Sequence, residues 1–208
     1  MGAPFSVDGD PPVRGRLHAA AGPDALVITH GAGSDHRSPL LAAVADAFAT
    51  EGVRVLRCDL PFRQMRASGP PSSAGAARDR RGLAVALDAM PAGGRRFVGG
   101  HSYGGRQASM LLAESPGLAQ GLLLLSYPLH PPGKPERART AHLSGLRVPV
   151  LFVHGERDPF GSIEEIEAAR ALVGAPTALL IVPRVAHALP ADTTTAGEIV
   201  ARFLRLIA

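Results

Sequence analysis

Residues 97–105 read Phe97-Val98-Gly99-Gly100-His101-Ser102-Tyr103-Gly104-Gly105, a short apolar strand that runs through Gly-x-Ser-x-Gly directly into a helix. Such a turn holds its central serine in a strained backbone conformation, so the residues two before and two after it must be glycine or very small. Gly100 and Gly104 meet that demand. Ser102 is thereby lifted clear of a sheet edge. A serine hydroxyl is a weak nucleophile at neutral pH, so the motif predicts a histidine base and an orienting carboxylate further along the chain.

On both sides of this stretch, strands alternate with helices. Ala25 to His30 (ALVITH) reads as a buried strand ending in the tight loop Gly31-Ala32-Gly33. A helix follows, with Ser38 as N-cap, Pro39 at the first helical position and Leu40, Leu41, Val44 and Phe48 on one face before Gly52 stops it. Val53 to Cys58 predicts a second strand, Ala74 to Met90 a second helix, and Gly105 to Glu114 the helix behind Ser102. Gly121 to Ser126 (GLLLLS) and Val148 to His154 (VPVLFVH) are apolar runs of strand length, the kind covered on both faces. Ser162 and Glu165 form a capping box for a helix reaching Leu172, and Ala178 to Val182 makes the last clear strand. A closing helix from Thr193 docks Ile199, Val200, Phe203, Leu206 and Ile207 on the sheet. Val13 to His18 reads as an edge strand. The alternation implies an α/β fold, a mostly parallel doubly wound sheet with helices on both faces, whose carboxyl edge is where ligands bind. Pro61 to Ser73 and Tyr127 to Arg147 lie over that edge as irregular loops, too short and too polar to make a cap domain.

With 208 residues, the span 1–208 is expected to form a single domain. No apolar run approaches the ~20 residues needed to cross a bilayer, which argues against a membrane partner. Met1 to Asp10 contains Asp8 and Asp10 and lacks both a basic start and an apolar stretch, so no secretory signal is expected and the expected location is cytoplasmic. The lone Cys58, at the end of an apolar strand, reads as a small buried side chain. A sequence pI of 10.2 overstates a formal charge of +4, because every basic residue except Lys134 is an arginine, which keeps its charge at any ordinary pH. The arginines are scattered and aromatics make up only 4%, which argues against a nucleic-acid partner.

The chemistry concentrates in three later segments. Asp158, in His154-Gly155-Glu156-Arg157-Asp158-Pro159, follows a strand and is the candidate acid, with Glu156 as its competitor. The stretch after Ser126 offers no carboxylate. His187 lies between the final strand and the final helix, and the order Ser102, Asp158, His187 makes it the candidate base. A tetrahedral intermediate needs two preorganised donors, for which the backbone N–H groups of Tyr103 and Ala32 are the candidates. Gly31 and Gly33 would let the backbone approach a substrate, and Tyr127 is a candidate substrate contact. Arg63 and Arg106 are placed to touch an anionic substrate; the plainer readings are solvent exposure for Arg63 and an ion pair for Arg106. His30, His101 and His154 all end strands on one edge, but no Cys or carboxylate joins them at metal-ligand spacing, so neither metal nor cofactor is expected.

These motifs resemble the alpha/beta-hydrolase superfamily across nearly the whole chain, and the small size and missing cap are similar to its dienelactone-hydrolase-like members. His30-Gly31-Ala32-Gly33, Asp59-Leu60-Pro61-Phe62, Gly100-His101-Ser102-Tyr103-Gly104-Gly105-Arg106 and Ser126-Tyr127-Pro128-Leu129-His130 resemble the branch holding the testis-expressed and NSL-complex-subunit hydrolase-like domains. Dienelactone hydrolases proper use cysteine as nucleophile, so their substrate is not carried over to Ser102. The expectation is a serine hydrolase acting on a small-molecule acyl substrate, an ester or thioester. The alternatives are an idle hydrolase fold used for binding, or an acyltransferase or peptidase with the same residues. Sequence sets neither the acyl group nor the oligomeric state.

Overall fold

The computed structural model describes residues 2–91 and 93–208; of the span expected to form one domain, Met1 and Ala92 lie outside the described residues. Eight strands make one sheet in the order β1-β2-β4-β3-β5-β6-β7-β8. They are β1 (Ala3–Val7), β2 (Val13–His18), β3 (Ala25–Thr29), β4 (Arg54–Cys58), β5 (Arg96–His101), β6 (Leu122–Leu125), β7 (Val150–Gly155) and β8 (Thr177–Val182). β3 to β8 run parallel, whereas β1 and β2 are antiparallel to their neighbours.

The helices are α1 (Pro39–Thr50), α2 (Pro61–Met65), α3 (Ala76–Asp88), α4 (Tyr103–Glu114), α5 (Ile163–Arg170) and α6 (Thr193–Ile207). Side chains alternate faces along a strand, and this period divides the core in two. Val27, Leu122, Leu124 and Phe152 meet α3, α4 and α5, while Leu26, Ile28, Leu123, Leu125 and Val153 meet α1 and α6. On the second face Phe203 of α6 packs edge-on against Phe48 of α1 and Phe97 of β5, with ring centroids 5.6 and 5.4 Å away. Burying one such ring stabilises the fold by about 1.5–3 kcal/mol. No cap domain covers the sheet edge among the described residues.

Three expectations are corrected. β2 is not an edge strand: β1 pairs outside it, with Phe5 opposite Gly15. β1 leaves most of its side chains exposed, so it carries no hydrophobic period and is held mainly by ladder hydrogen bonds. Within 61–73 the chain forms the single turn α2, begun by Pro61, a residue suited to the first helical position but too short a helix to show a period. The second helix starts two residues late, after a 3-10 turn at Ser73–Gly75 in which Ser72 Oγ accepts the Gly75 N–H. The Ser162 and Glu165 capping box forms as expected, whereas Ser38 occupies its cap position without a side-chain hydrogen bond.

Candidate active site

The strand order reverses around β3, which has β4 on one side and β5 on the other. In a parallel sheet this reversal opens a crevice at the carboxyl ends of the strands. Thr29 pairs with Gly100 in register, so the loop after β3 and the turn after β5 emerge side by side. A Cβ on Gly31 would lie 3.4 Å from the Ser102 Cβ.

Ser102 sits at φ 51°, ψ −117°, a left-handed strain that a serine seldom accepts. Close packing on both sides enforces it. A Cβ on Gly100 would fall 2.7 Å from the Thr29 carbonyl oxygen, and one on Gly104 would fall 2.5 Å from that of His30. Ser102 holds the N-cap position of α4 but makes no cap bond with its side chain. Its hydroxyl instead lies 2.8 Å from His187 Nε2, and His187 Nδ1 lies 2.7 Å from Asp158 Oδ2. The structure therefore brings together all three side chains, delivered from β5, β7 and β8.

Asp158 has a fully buried side chain, and its second oxygen accepts the Phe160 N–H at 2.9 Å. Glu156 is exposed and accepts the Arg184 N–H at 2.6 Å, so it is held away from the histidine. The Phe160 ring stacks on His187 with centroids 4.3 Å apart. His101 Nε2 donates to the His187 carbonyl at 3.2 Å, tying the His187 loop to β5. Burial holds the His101 ring below the usual imidazole range and so keeps it neutral. Phe160 and His101 were visible in the sequence only as neighbours of the motifs; nothing in their spacing announced that they brace His187.

Tyr103 begins α4, so its N–H is one of the donors that a helix cannot satisfy internally. Ala32 and Gly33 also donate to no backbone acceptor among the described residues. The Tyr103 ring stands edge-on to Phe62, and its hydroxyl donates to Asp79 at 2.8 Å. Burial raises the Asp79 carboxyl above the ordinary carboxylate range, opposed by the bonds from Tyr103 and the Phe62 N–H. Gly31 is packed against His101 and Ser102, whereas a Cβ at Gly33 would meet nothing within 4 Å, so no close approach requires glycine there.

Three further expectations are overturned. Arg63 is only 8% exposed, because its guanidinium bonds backbone carbonyls instead of water. Tyr127 is 1% exposed and cannot meet a substrate: the chain turns at Ser126 (φ 50°), the ring packs on Phe152, and the hydroxyl donates to the Arg139 carbonyl at 2.7 Å. Arg106 forms no ion pair among the described residues, since no carboxylate reaches it, and its covered Nε has no partner.

The strand-end histidines each bond backbone. His30 Nδ1 donates to the Gly31 carbonyl at 2.8 Å, and His154 Nε2 donates to that of Gly161 at 2.9 Å. A separate group, Asp35, His36 and Asp59, brings possible ligand atoms within 4.8 Å of one another. Its donors are engaged internally: Asp59 accepts both the His36 N–H and its ring Nδ1 at 2.7 Å, and Asp35 is bound by Arg37. Beside it a polar cleft of about 680 Å³ runs past Asp35, Asp59, Arg63 and Gln64.

A model of the alpha/beta hydrolase domain matches residues 23–196. The chain belongs to the alpha/beta-hydrolase family. Within that family its fold is similar to dienelactone hydrolase from Anabaena variabilis, with TM-score 0.78 and 22% identity over 99% of this chain and 97% of that one. Est1E from Butyrivibrio proteoclasticus superposes with TM-score 0.77 at 17% identity, covering 100% and 99% of the two chains. XC6422 from Xanthomonas campestris, described as a serine hydrolase without lid, gives TM-score 0.71 at 16% identity over 98% and 94%. The cap-less fold of this alpha/beta hydrolase is similar to those of these neighbours.

Proposed function

We propose that the chain is a serine hydrolase that cleaves a small or medium carboxylic ester or thioester through an acyl-enzyme on Ser102. The observation that carries this reading is the unbroken hydrogen-bond line from hydroxyl to imidazole to buried carboxylate, at 2.8 and 2.7 Å. His187 accepts the Ser102 proton as the oxygen attacks the acyl carbonyl, and returns it to the leaving group. Asp158 holds the ring through Nδ1–H and stabilises the imidazolium. Water, deprotonated by the same histidine, then cleaves the acyl-enzyme. The N–H groups of Tyr103 and Ala32 receive the oxyanion; losing one such donor costs on the order of 3 kcal/mol.

The likeness to a structure of Est1E with ferulic acid bound supports an acyl substrate of modest size. The His-Gly-Ala-Gly and Asp-Leu-Pro-Phe motifs support placing the chain nearest the testis-expressed and NSL-complex-subunit branch. A fluorophosphonate probe is expected to label the wild type and not Ser102→Ala. A panel of p-nitrophenyl esters and acyl-CoA thioesters, run on both proteins, separates the two leaving groups. Labelling that survives the substitution would overturn the reading.

A further inference from the structure

We propose that Arg63 is a positioning residue for the oxyanion loop: its guanidinium, by gripping the Ala32 and Ser34 carbonyls, fixes the Ala32–Gly33 peptide and with it the conformation of the loop that presents the Ala32 N–H to the acyl oxygen. The inference rests on the serine-hydrolase reading above. Arg63 Nε donates to the Ser34 carbonyl at 2.9 Å, and NH2 donates to those of Ala32 at 2.6 Å and Gly69 at 3.2 Å. NH1 donates to the Arg66 carbonyl at 3.3 Å. A buried cation ordinarily requires a carboxylate, because removing it from water is costly. Here backbone oxygens do that work, from the oxyanion loop on one side and from residues 66–69 on the other.

The guanidinium also lies over the Phe62 ring, 4.9 Å from its centroid, and that ring touches His30 and Tyr103 at 5.6 and 5.7 Å. Arg63 is thus held between the loop after β3 and residues 66–69, with the Phe62 ring against its guanidinium. Trans peptides are planar, so a carbonyl and the N–H of the next residue point in opposite directions. The Gly31 carbonyl accepts from His30 Nδ1 and from the Ser34 N–H, which orients the Ala32 N–H. The Ala32 carbonyl accepts from Arg63, which orients the Gly33 N–H. Both amides are left without a backbone acceptor among the described residues. Four carbonyls shared among three nitrogens suit a rigid guanidinium fork and not the single ammonium of lysine.

The test compares wild type, Arg63→Lys and Arg63→Ala on p-nitrophenyl acetate and butyrate, and follows the Ala32 and Gly33 amide resonances. Removing a donor outright costs 10²–10³ in kcat, so misdirecting one is expected to cost about 10- to 100-fold in kcat, with KM changed less than about twofold. Millimolar guanidinium is expected to restore kcat in Arg63→Ala, and the two resonances are expected to shift in Arg63→Lys while those of β6 stay. The proposal is overturned if Arg63→Lys keeps wild-type kcat, if KM rises while kcat holds, or if the two resonances do not move. Should the wild type hydrolyse neither ester, fluorophosphonate labelling of Ser102 decides the serine-hydrolase reading, and the resonances alone decide on the positioning.

Discussion

Asp158 and Cys58 are both buried acids at strand ends, yet their surroundings set them opposite tasks. Asp158 gives one oxygen to His187 and the other to a backbone N–H, so both of its oxygens have donors. Asp158→Asn would place an amide where an acceptor is needed and favour the wrong imidazole tautomer; on the proposed reading kcat is expected to fall about 10⁴-fold with the fold intact. Ester kinetics beside a circular-dichroism melt check this. At Cys58 a bond from Thr29 and a backbone bond favour the thiolate, but burial outweighs them. Burial pushes its thiol up to about 12, so thiolate is scarce at neutral pH. Ellman's reagent at pH 8 is expected to leave native protein unmodified and to count one thiol after denaturation; rapid native reaction would contradict this burial.

At the scale of elements, α4 and α6 show two ways of holding a helix. α4 gives up its side-chain cap so that the Ser102 hydroxyl can serve His187, and its packing face of Ala108, Leu111 and Leu112 compensates. α6 keeps a full cap, with Asp192 accepting the Thr195 N–H at 2.7 Å, and anchors through Phe203. Phe203→Ala would leave a cavity between α1, α6 and β5, a loss expected to cost about 3–5 kcal/mol. The urea midpoint measures it. Because Phe203 packs on Phe48 and Phe97, the residual folded protein is expected, on the proposed reading, to keep the wild-type ester kinetics; a kcat loss larger than the unfolded fraction would link this helix to the site.

Across the molecule, acid should act chiefly through histidines. Burial holds His18, His30, His101 and His154 below the usual imidazole range, and burial, then Arg106 and Arg80, takes His142 down to about 4. A histidine whose folded pKa lies below its unfolded 6.5 leaves the unfolded chain holding more protons between those values. Stability is therefore present above pH 6.5 and is lost as the pH falls towards 4. Asp79, raised by burial, works the other way, adding stability as the pH falls through its folded value. The urea midpoint is expected to drop across this window, and His142→Gln to flatten the drop. An unchanged midpoint from pH 7 to 4.5 would refute it.

Much of the fold could be read directly from the chain. Runs such as GLLLLS admit a strand buried on both faces and little else, and glycines flanking Ser102 answer to a steric rule that acts over five residues. The order of Ser102, Asp158 and His187 along the alternating elements was readable for the same local reasons. What escaped depended on contacts between distant segments. β1 lacks a period because most of its side chains are exposed, and its place is set by backbone pairing with β2. Arg63 looked solvent-exposed because carbonyls of residues 32–34 and 66–69, which bury its charge, carry no side-chain signature. Backbone acceptors are the same at every position in a chain. Only tertiary structure decides which of them converge on one cation.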